Sequence, residues 1–448
     1  GPAWYRSISG NVVDSTEGII GVFESESQRN QRDALLKLRA SFLIPKEIIY
    51  LNGNSLGPLQ STVRERLDEV VSLEWGEDLI TGWNKHNWFD LPMRVGEKIA
   101  PIIGAASGQV VSCDSISINL FKLLASALEL RPGRTQILTQ IDNFPTDLYV
   151  AQGMEQLLGK SRCELVLKPA KDIVSAMNAK VAVLMLSHVN FRDGAVHDMA
   201  MITEKAHQAG ILVIWDLAHS AGVLQLELDE WGVDFAVGCG YKFLNGGPGA
   251  PSYVYVNRSL HGEFSQPLKG WMGHEKPFEF DPSFLPAEGV RQFISGTPQI
   301  LSLVALESAL DIFCGVEIAL LQERTVALAE HFLELISKAP GLKDFQLESP
   351  TEPLKRGAQL AFSHPEAYAI CRAWAEEGVI ADFRAPNLLR IGFSPMNLSF
   401  EDIDLAVEKL VGVIIEERFS IKVLIERIRV QLRKKDTNDI IEENKSII

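Results

Sequence analysis

The middle of the chain alternates short, uniformly apolar runs with stretches of helical spacing. Residues 136–141, 180–187, 211–215 and 234–238 read as strands. Because they are apolar on both faces, they belong in a parallel sheet covered by helices on either side. Between the second and third, residues 198–209 carry helical periodicity, with Asp198 as N-cap and Gly210 as the C-terminal stop. This rhythm predicts an open α/β sheet whose ligand lies beyond the carboxyl ends of the strands.

Farther along, residues 300–315 and 317–337 read as amphipathic helices, the second long enough to bridge two domains. After Gly341 the pattern becomes α+β. Residues 358–362, 379–383 and 388–393 are predicted strands, and residues 366–377 a helix stopped by Gly378. A last helix over 400–417 is opened by Ser399 with Asp402 three residues on, close to a capping box. The predicted organisation is an N-terminal segment (1–48), a large domain (49–340), a small C-terminal domain (341–417) and a charged tail (418–448). In the tail, Arg427, Arg429, Arg433, Lys434 and Lys435 interleave with isoleucine and valine. It reads as a solvated segment, as a helix docked on another subunit or, least in keeping with the acidic body, as a membrane-surface segment.

Charge and cysteine usage narrow the function. A net charge of −15 argues against a nucleic-acid partner, since phosphate backbones are bound by clustered lysine and arginine. One local basic pocket would still suffice for a small anionic ligand. The five cysteines are widely spaced with no C-x-x-C pair, which indicates neither a disulfide framework nor a zinc site. No apolar run approaches the roughly 20 residues of a membrane span, and residues 1–30 lack the layout of a signal peptide. The expected compartment is the reducing cytoplasm.

Candidate chemistry concentrates at strand ends. Lys242 follows the run 235–238 and precedes Gly246, Gly247 and Gly249, which allow close backbone approach to a ligand. Asp216 ends the run 211–215. An amine and a carboxylate at neighbouring strand ends are the two protein groups that pyridoxal phosphate chemistry requires. The lysine holds the aldehyde as a Schiff base, and the carboxylate keeps the pyridine nitrogen protonated. Read singly, Lys242 also fits a surface lysine in a hairpin turn, which Tyr241 and the glycines weaken, and Asp216 also fits a helix N-cap, the lesser reading for a carboxylate that ends a buried strand. Ser115 to Asn119 lie at the start of an apolar helix, where free N–H groups and hydroxyls suit a phosphate, although Asp114 or Ser115 alone is an ordinary cap. Phe144 and Asp147 follow the first strand, in a turn that would be unremarkable by itself. Arg390 is a charge inside an apolar strand: either it points to water, or it turns into an interdomain cleft to hold a substrate carboxylate.

Taken together, several motifs resemble the kynureninase family. They are Tyr50-Leu51-Asn52-Gly53-Asn54-Ser55-Leu56-Gly57, Asn143-Phe144-Pro145-Thr146-Asp147, Trp215-Asp216-Leu217-Ala218-His219-Ser220-Ala221-Gly222, Tyr241-Lys242-Phe243-Leu244-Asn245-Gly246-Gly247-Pro248-Gly249 and Gly270-Trp271-Met272-Gly273-His274. The similarity spans residues 50–417 and is closer to bacterial than to animal members. It implies a fold-type-I pyridoxal-phosphate enzyme with a mainly parallel seven-stranded sheet, homodimeric, with an active site shared between subunits. The implied reaction is hydrolytic cleavage of L-kynurenine to anthranilate and L-alanine, in tryptophan catabolism.

By the same resemblance, Lys242 binds the cofactor and takes the substrate α-proton, Asp216 pairs with the ring nitrogen, and Phe144 stacks on the ring. Ile116, Ser117 and Tyr241, with Trp271 and Thr297 from the partner subunit, surround the phosphate. Asp147, Ser187 and His219 complete the cofactor shell. Arg390 holds the α-carboxylate, and Trp83 and Ser55 lie against the aryl ketone. Tyr241 is the expected proton donor to the final carbanion. Trp83 and Thr297 match the version that favours kynurenine over 3-hydroxykynurenine. Two positions depart from the family pattern: Asn52 stands where Asp is usual, and Ile116 lacks the hydroxyl that bacterial relatives often carry. Another fold-type-I enzyme (a cysteine desulfurase or class V aminotransferase) and a catalytically silent scaffold are the alternatives. Against the first, no cysteine sits in an obvious catalytic loop and the lysine follows tyrosine.

Overall fold

The computed structural model describes Leu35 and residues 37–417; the readings of residues 1–30 and 418–448 lie outside it. Its first strand, β1 (Ile49–Tyr50), stands apart from the main sheet. The next seven are β2 (Val110–Ser112), β3 (Gln136–Gln140), β4 (Glu164–Lys168), β5 (Val181–Ser187), β6 (Leu212–Asp216), β7 (Phe235–Cys239) and β8 (Ser252–Val256). They form one sheet in the order β2-β8-β7-β6-β5-β3-β4, in which only β8 runs against its neighbours. The four strands expected from the apolar runs are β3, β5, β6 and β7, which lie side by side at its centre.

Side-chain alternation builds a core on each face. Val213 and Trp215 pack into one, while Leu212 and Ile214 pack into the other, all fully buried. Each such side chain contributes about 1.5–3 kcal/mol of hydrophobic free energy. The helix Met199–Gln208 covers the first face, and Asp198 caps it by accepting from the Met201 N–H.

The remaining strands are β9 (Gln346–Leu347), β10 (Gln359–Ser363), β11 (Val379–Ile380), β12 (Asp382–Arg384) and β13 (Leu388–Gly392). Four of them form an antiparallel sheet, β12-β13-β10-β9. The strand expected over 379–383 is thus two strands in two sheets. As far as Ile380 the chain runs parallel to β1, which bonds it through the Ile49 and Leu51 N–H groups. Past Ala381 it crosses to pair with β13. The two sheets are stitched by the Gly392 N–H donating to the Leu51 carbonyl at 2.7 Å.

A third core of Leu51, Phe332, Trp374 and Phe393 lies between this sheet and its helices. The helix Ile318–Lys338 places Leu321 in the main core and Phe332 in the third, so it spans both. The last described helix, Phe400–Ile415, opens with a complete capping box: the Ser399 hydroxyl accepts from the Asp402 N–H, and the Asp402 carboxylate accepts from the Ser399 N–H. Asp402 also pairs with Arg39, which ties the start of the described chain to this helix.

Candidate active site

Three adjacent strand ends build the site. Ser187 ends β5 directly opposite Asp216, which ends β6, and Lys242 lies three residues beyond β7. They open into a cavity of about 200 Å³ whose wall includes Ile116, Ser117, Phe144, Asp147, Ser187, Asp216, His219, Tyr241 and Lys242. Every cofactor-shell residue expected from this chain is there.

The cavity is crowded with charge. Asp216 is buried; its Oδ1 accepts from the Ala218 N–H at 2.8 Å, and its Oδ2 lies 3.5 Å from the Ser187 hydroxyl. Burial raises its pKa, and the Lys242 charge works against that rise. Asp147 is fully buried, and among the described residues neither of its oxygens has a hydrogen-bond partner. Burial first, and the Asp216 charge second, push its pKa well above the usual carboxylate range. Buried carboxyls side by side need a cation to share. A protonated pyridine nitrogen fits this need, as does the lysine that a bound aldehyde would occupy.

Lys242 Nζ lies 3.1 Å from His219 Nε2. An ammonium has only protons to give, so Nε2 accepts and the ring proton sits on Nδ1. That Nδ1 is buried without an acceptor among the described residues. Burial, then the charges of Lys242, Arg390 and Arg384, hold the His219 pKa well below its ordinary value, so the imidazole is neutral. Burial also raises the Tyr241 phenol, with Cys239 and Asp216 adding to the effect. It therefore keeps its proton at neutral pH.

One wall of the cavity is the start of the helix Ile116–Leu130. Ser115 caps it, accepting from the Ile118 N–H at 3.4 Å. The preceding Asp114 is held at φ 49°, where a side chain is strained. The fully buried Lys122 anchors it, donating to Asp114 Oδ2 and to the Phe293 carbonyl, each at 2.6 Å. Phe144 is 42% exposed over the cavity and meets Phe191 edge-on at 5.3 Å, which leaves its face open for stacking.

Arg390 does not point to water: it is 1% exposed. It donates to the Phe191 carbonyl at 2.6 Å, bidentately to Asp382 at 3.0 and 2.6 Å, and to the Ser55 hydroxyl at 3.0 Å. Phe191 also lines the cavity, so the guanidinium stands just behind its wall. Ser55, expected at the aryl end, accepts from Arg390 and donates to Asp382 Oδ2 at 2.8 Å.

Trp83 does not line this cavity, and Trp271 and Thr297, expected from the partner subunit, do not line the cavity of their own chain. Trp83 packs edge-on against Trp88 at 5.8 Å. Trp271 is 39% exposed and stacks on Phe280. Thr297 lines a separate cavity with Cys113 and Asp114. Two residues went unread in the sequence. Asn143 accepts from the Ser187 hydroxyl at 2.6 Å and from the Phe144 N–H at 2.8 Å, fixing both. Asp382 grips Arg390, and its only sequence signal is a charge alternating with Arg384 in a short strand.

Comparison with known proteins sorts the fold-level alternatives. The chain is 40% identical to the kynureninase of Pseudomonas fluorescens over 391 residues, covering 86% of this chain and 94% of that protein. It is 44% identical to the kynureninase of Deinococcus radiodurans over 390 residues, with the same coverage. The chain belongs to the kynureninase family. The model of the kynureninase C-terminal domain matches residues 321–410. Among solved structures, a cysteine desulfurase from Thermococcus onnurineus superposes with a TM-score of 0.71 at 17% identity, covering 84% of this chain and 97% of that one. A cystine C–S lyase in complex with cysteine persulfide gives 0.72, also at 17% identity, over 82% of this chain and 98% of the other. At that identity the likeness shows the fold, which is the fold-type-I α/β architecture expected of a kynureninase. It gives the desulfurase alternative no further support.

Proposed function

We infer that this kynureninase-family chain uses pyridoxal 5′-phosphate to cleave the Cβ–Cγ bond of L-kynurenine with water, releasing anthranilate and L-alanine. One observation carries the assignment of residues: Lys242, Asp216 and Asp147 share one buried cavity, with Arg390 directly behind its wall. Bound there, the cofactor supplies an electron sink for the pair released when a bond at the substrate α-carbon breaks. Asp216, backed by Asp147, holds the ring-nitrogen proton. The N–H groups at the start of the helix Ile116–Leu130, with the Ser117 and Tyr241 hydroxyls, hold the phosphate.

Lys242 moves the α-proton, and the neutral His219 accepts a hydrogen bond from it without adding a second cation. Tyr241, still protonated at neutral pH, donates to the last carbanion. Arg390 and Ser55 receive the α-carboxylate.

A homodimer with a shared site is part of this reading. Trp271 and Thr297 stand away from their own cavity, and Trp75, Ile80, Phe278 and Phe280 are more than half exposed. Exposed large apolar side chains such as these are suited to a second copy of the chain. Trp83 would then meet the aryl group of the substrate. We place the divide between large and small domains near residue 340 and the protein in the cytoplasm. Among the described residues, no helix is long and apolar enough to cross a membrane.

Incubation of the cofactor-loaded protein with L-kynurenine should produce anthranilate fluorescence. Lys242→Ala should lose both turnover and the absorbance band of lysine-bound cofactor. Anthranilate production by that variant, or none by the parent, would overturn the reading. The expected preference is a higher kcat/KM for kynurenine than for 3-hydroxykynurenine.

A further inference from the structure

Arg390 and Asp382 face each other directly across the β12–β13 pair, and Arg384 lies two residues along β12 on the same face. Asp382 Oδ2 accepts from Arg390 at 2.6 Å and forms an ion pair with Arg384 at 3.1 Å. One carboxylate therefore bridges two guanidinium groups. Four of the five N–H groups of Arg390 are already engaged, two of them on Asp382.

If Arg390 and Asp382 stood alone, the pair would be neutral and would offer an incoming carboxylate no net attraction. The second arginine changes that balance. Two cations and one anion leave the cluster positive by a single charge, which matches one α-carboxylate. The field of both arginines extends into the cavity, where it helps to keep His219 neutral. Arg384 is 41% exposed at its side chain, against 14% for Asp382 and 1% for Arg390, so it is the open end of the cluster.

We propose that Arg384 is a positioning residue: acting through Asp382, it keeps the carboxylate end of the site net positive so that Arg390 can attract the substrate. This rests on the reading of Arg390 as the α-carboxylate site. It adds a specificity element, because ligands lacking that carboxylate gain nothing from the charge.

The test uses the cofactor-loaded protein and two amines that differ in charge, L-alanine and L-alaninamide, with dissociation constants read from the change in cofactor absorbance. Arg384→Gln should bind L-alanine about tenfold more weakly, the effect of removing one nearby charge in a partly screened site. It should bind L-alaninamide as the parent does, which also shows that the pocket is intact. Arg384→Lys should retain the parent affinity for L-alanine. Unchanged L-alanine binding in Arg384→Gln, equal losses for both ligands, or a lysine variant as weak as the glutamine one would overturn the proposal. Arg390→Ala separates the two layers. If it binds L-alanine like the parent, the carboxylate-site reading fails and the proposal falls with it. If it is selectively impaired while Arg384→Gln is not, only the role of Arg384 falls.

Discussion

Asp147 and Asp216 lie in one buried cavity, and their repulsion is a cost to the protein without its cofactor. A carboxyl whose pKa is higher folded than unfolded binds more protons when folded. Its contribution to stability is therefore lost as pH rises through that window. Asp147→Asn removes this term, so the cofactor-free variant should unfold at a higher temperature than the parent at pH 7, by about 1–2 kcal/mol of added stability. Calorimetry of the cofactor-free proteins measures this, and an equal or lower midpoint would contradict it. Legibility in the sequence followed the same logic of burial. Asp216 was readable because a charge that ends an apolar strand must have a partner, and Lys242 because a glycine-rich turn follows it. The orientation of Arg390 became visible only once β12 was known to lie opposite it, since a charge in a strand reads equally as solvent-facing. Asp382 had the same ambiguity and no motif to lift it. The separation of Trp83 from the cavity could not be read at all, because spatial distance leaves no mark on local pattern.

Among the elements, those with a strong local signal were legible. The four central strands are apolar throughout, and the helix Phe400–Ile415 starts with its capping box. Ser399→Ala should destabilise the protein by about 1 kcal/mol through the lost cap. Denaturant unfolding measures this, and a change within a few tenths of a kcal/mol would show that Arg39 alone holds Asp402 in place. Elements with weak signals were missed. β2 has three residues, too few for any period to show. β4 is an edge strand of half-buried residues between Glu164 and Lys168. The run 379–383 looks continuous along the chain, and only the partners on either side, β1 and β13, divide it.

At the scale of the whole molecule, acid should loosen the fold from its interior. His188 is buried at the end of β5 against Trp215 and bonded to Ser220; burial brings its pKa down to about 3. The unfolded chain takes up this proton near pH 6.5 while the folded protein does not. Stability is thus fully present above pH 6.5 and is lost as pH falls from there toward 3, by up to about 1.4 kcal/mol per pH unit. His188→Gln should show a correspondingly shallower decline in unfolding free energy across that range; identical slopes would exclude His188 as the cause. The pairing of β1 with β11 has a consequence for biosynthesis. Ile49 and Tyr50 find their hydrogen-bonding partners about 330 residues later in the chain. At typical translation speeds of about 5–20 residues per second, the nascent strand waits roughly 15 to 70 seconds with its edge unmatched. The sheet that carries Arg390 is therefore the last to close, after the ribosome has already delivered every strand of the main sheet.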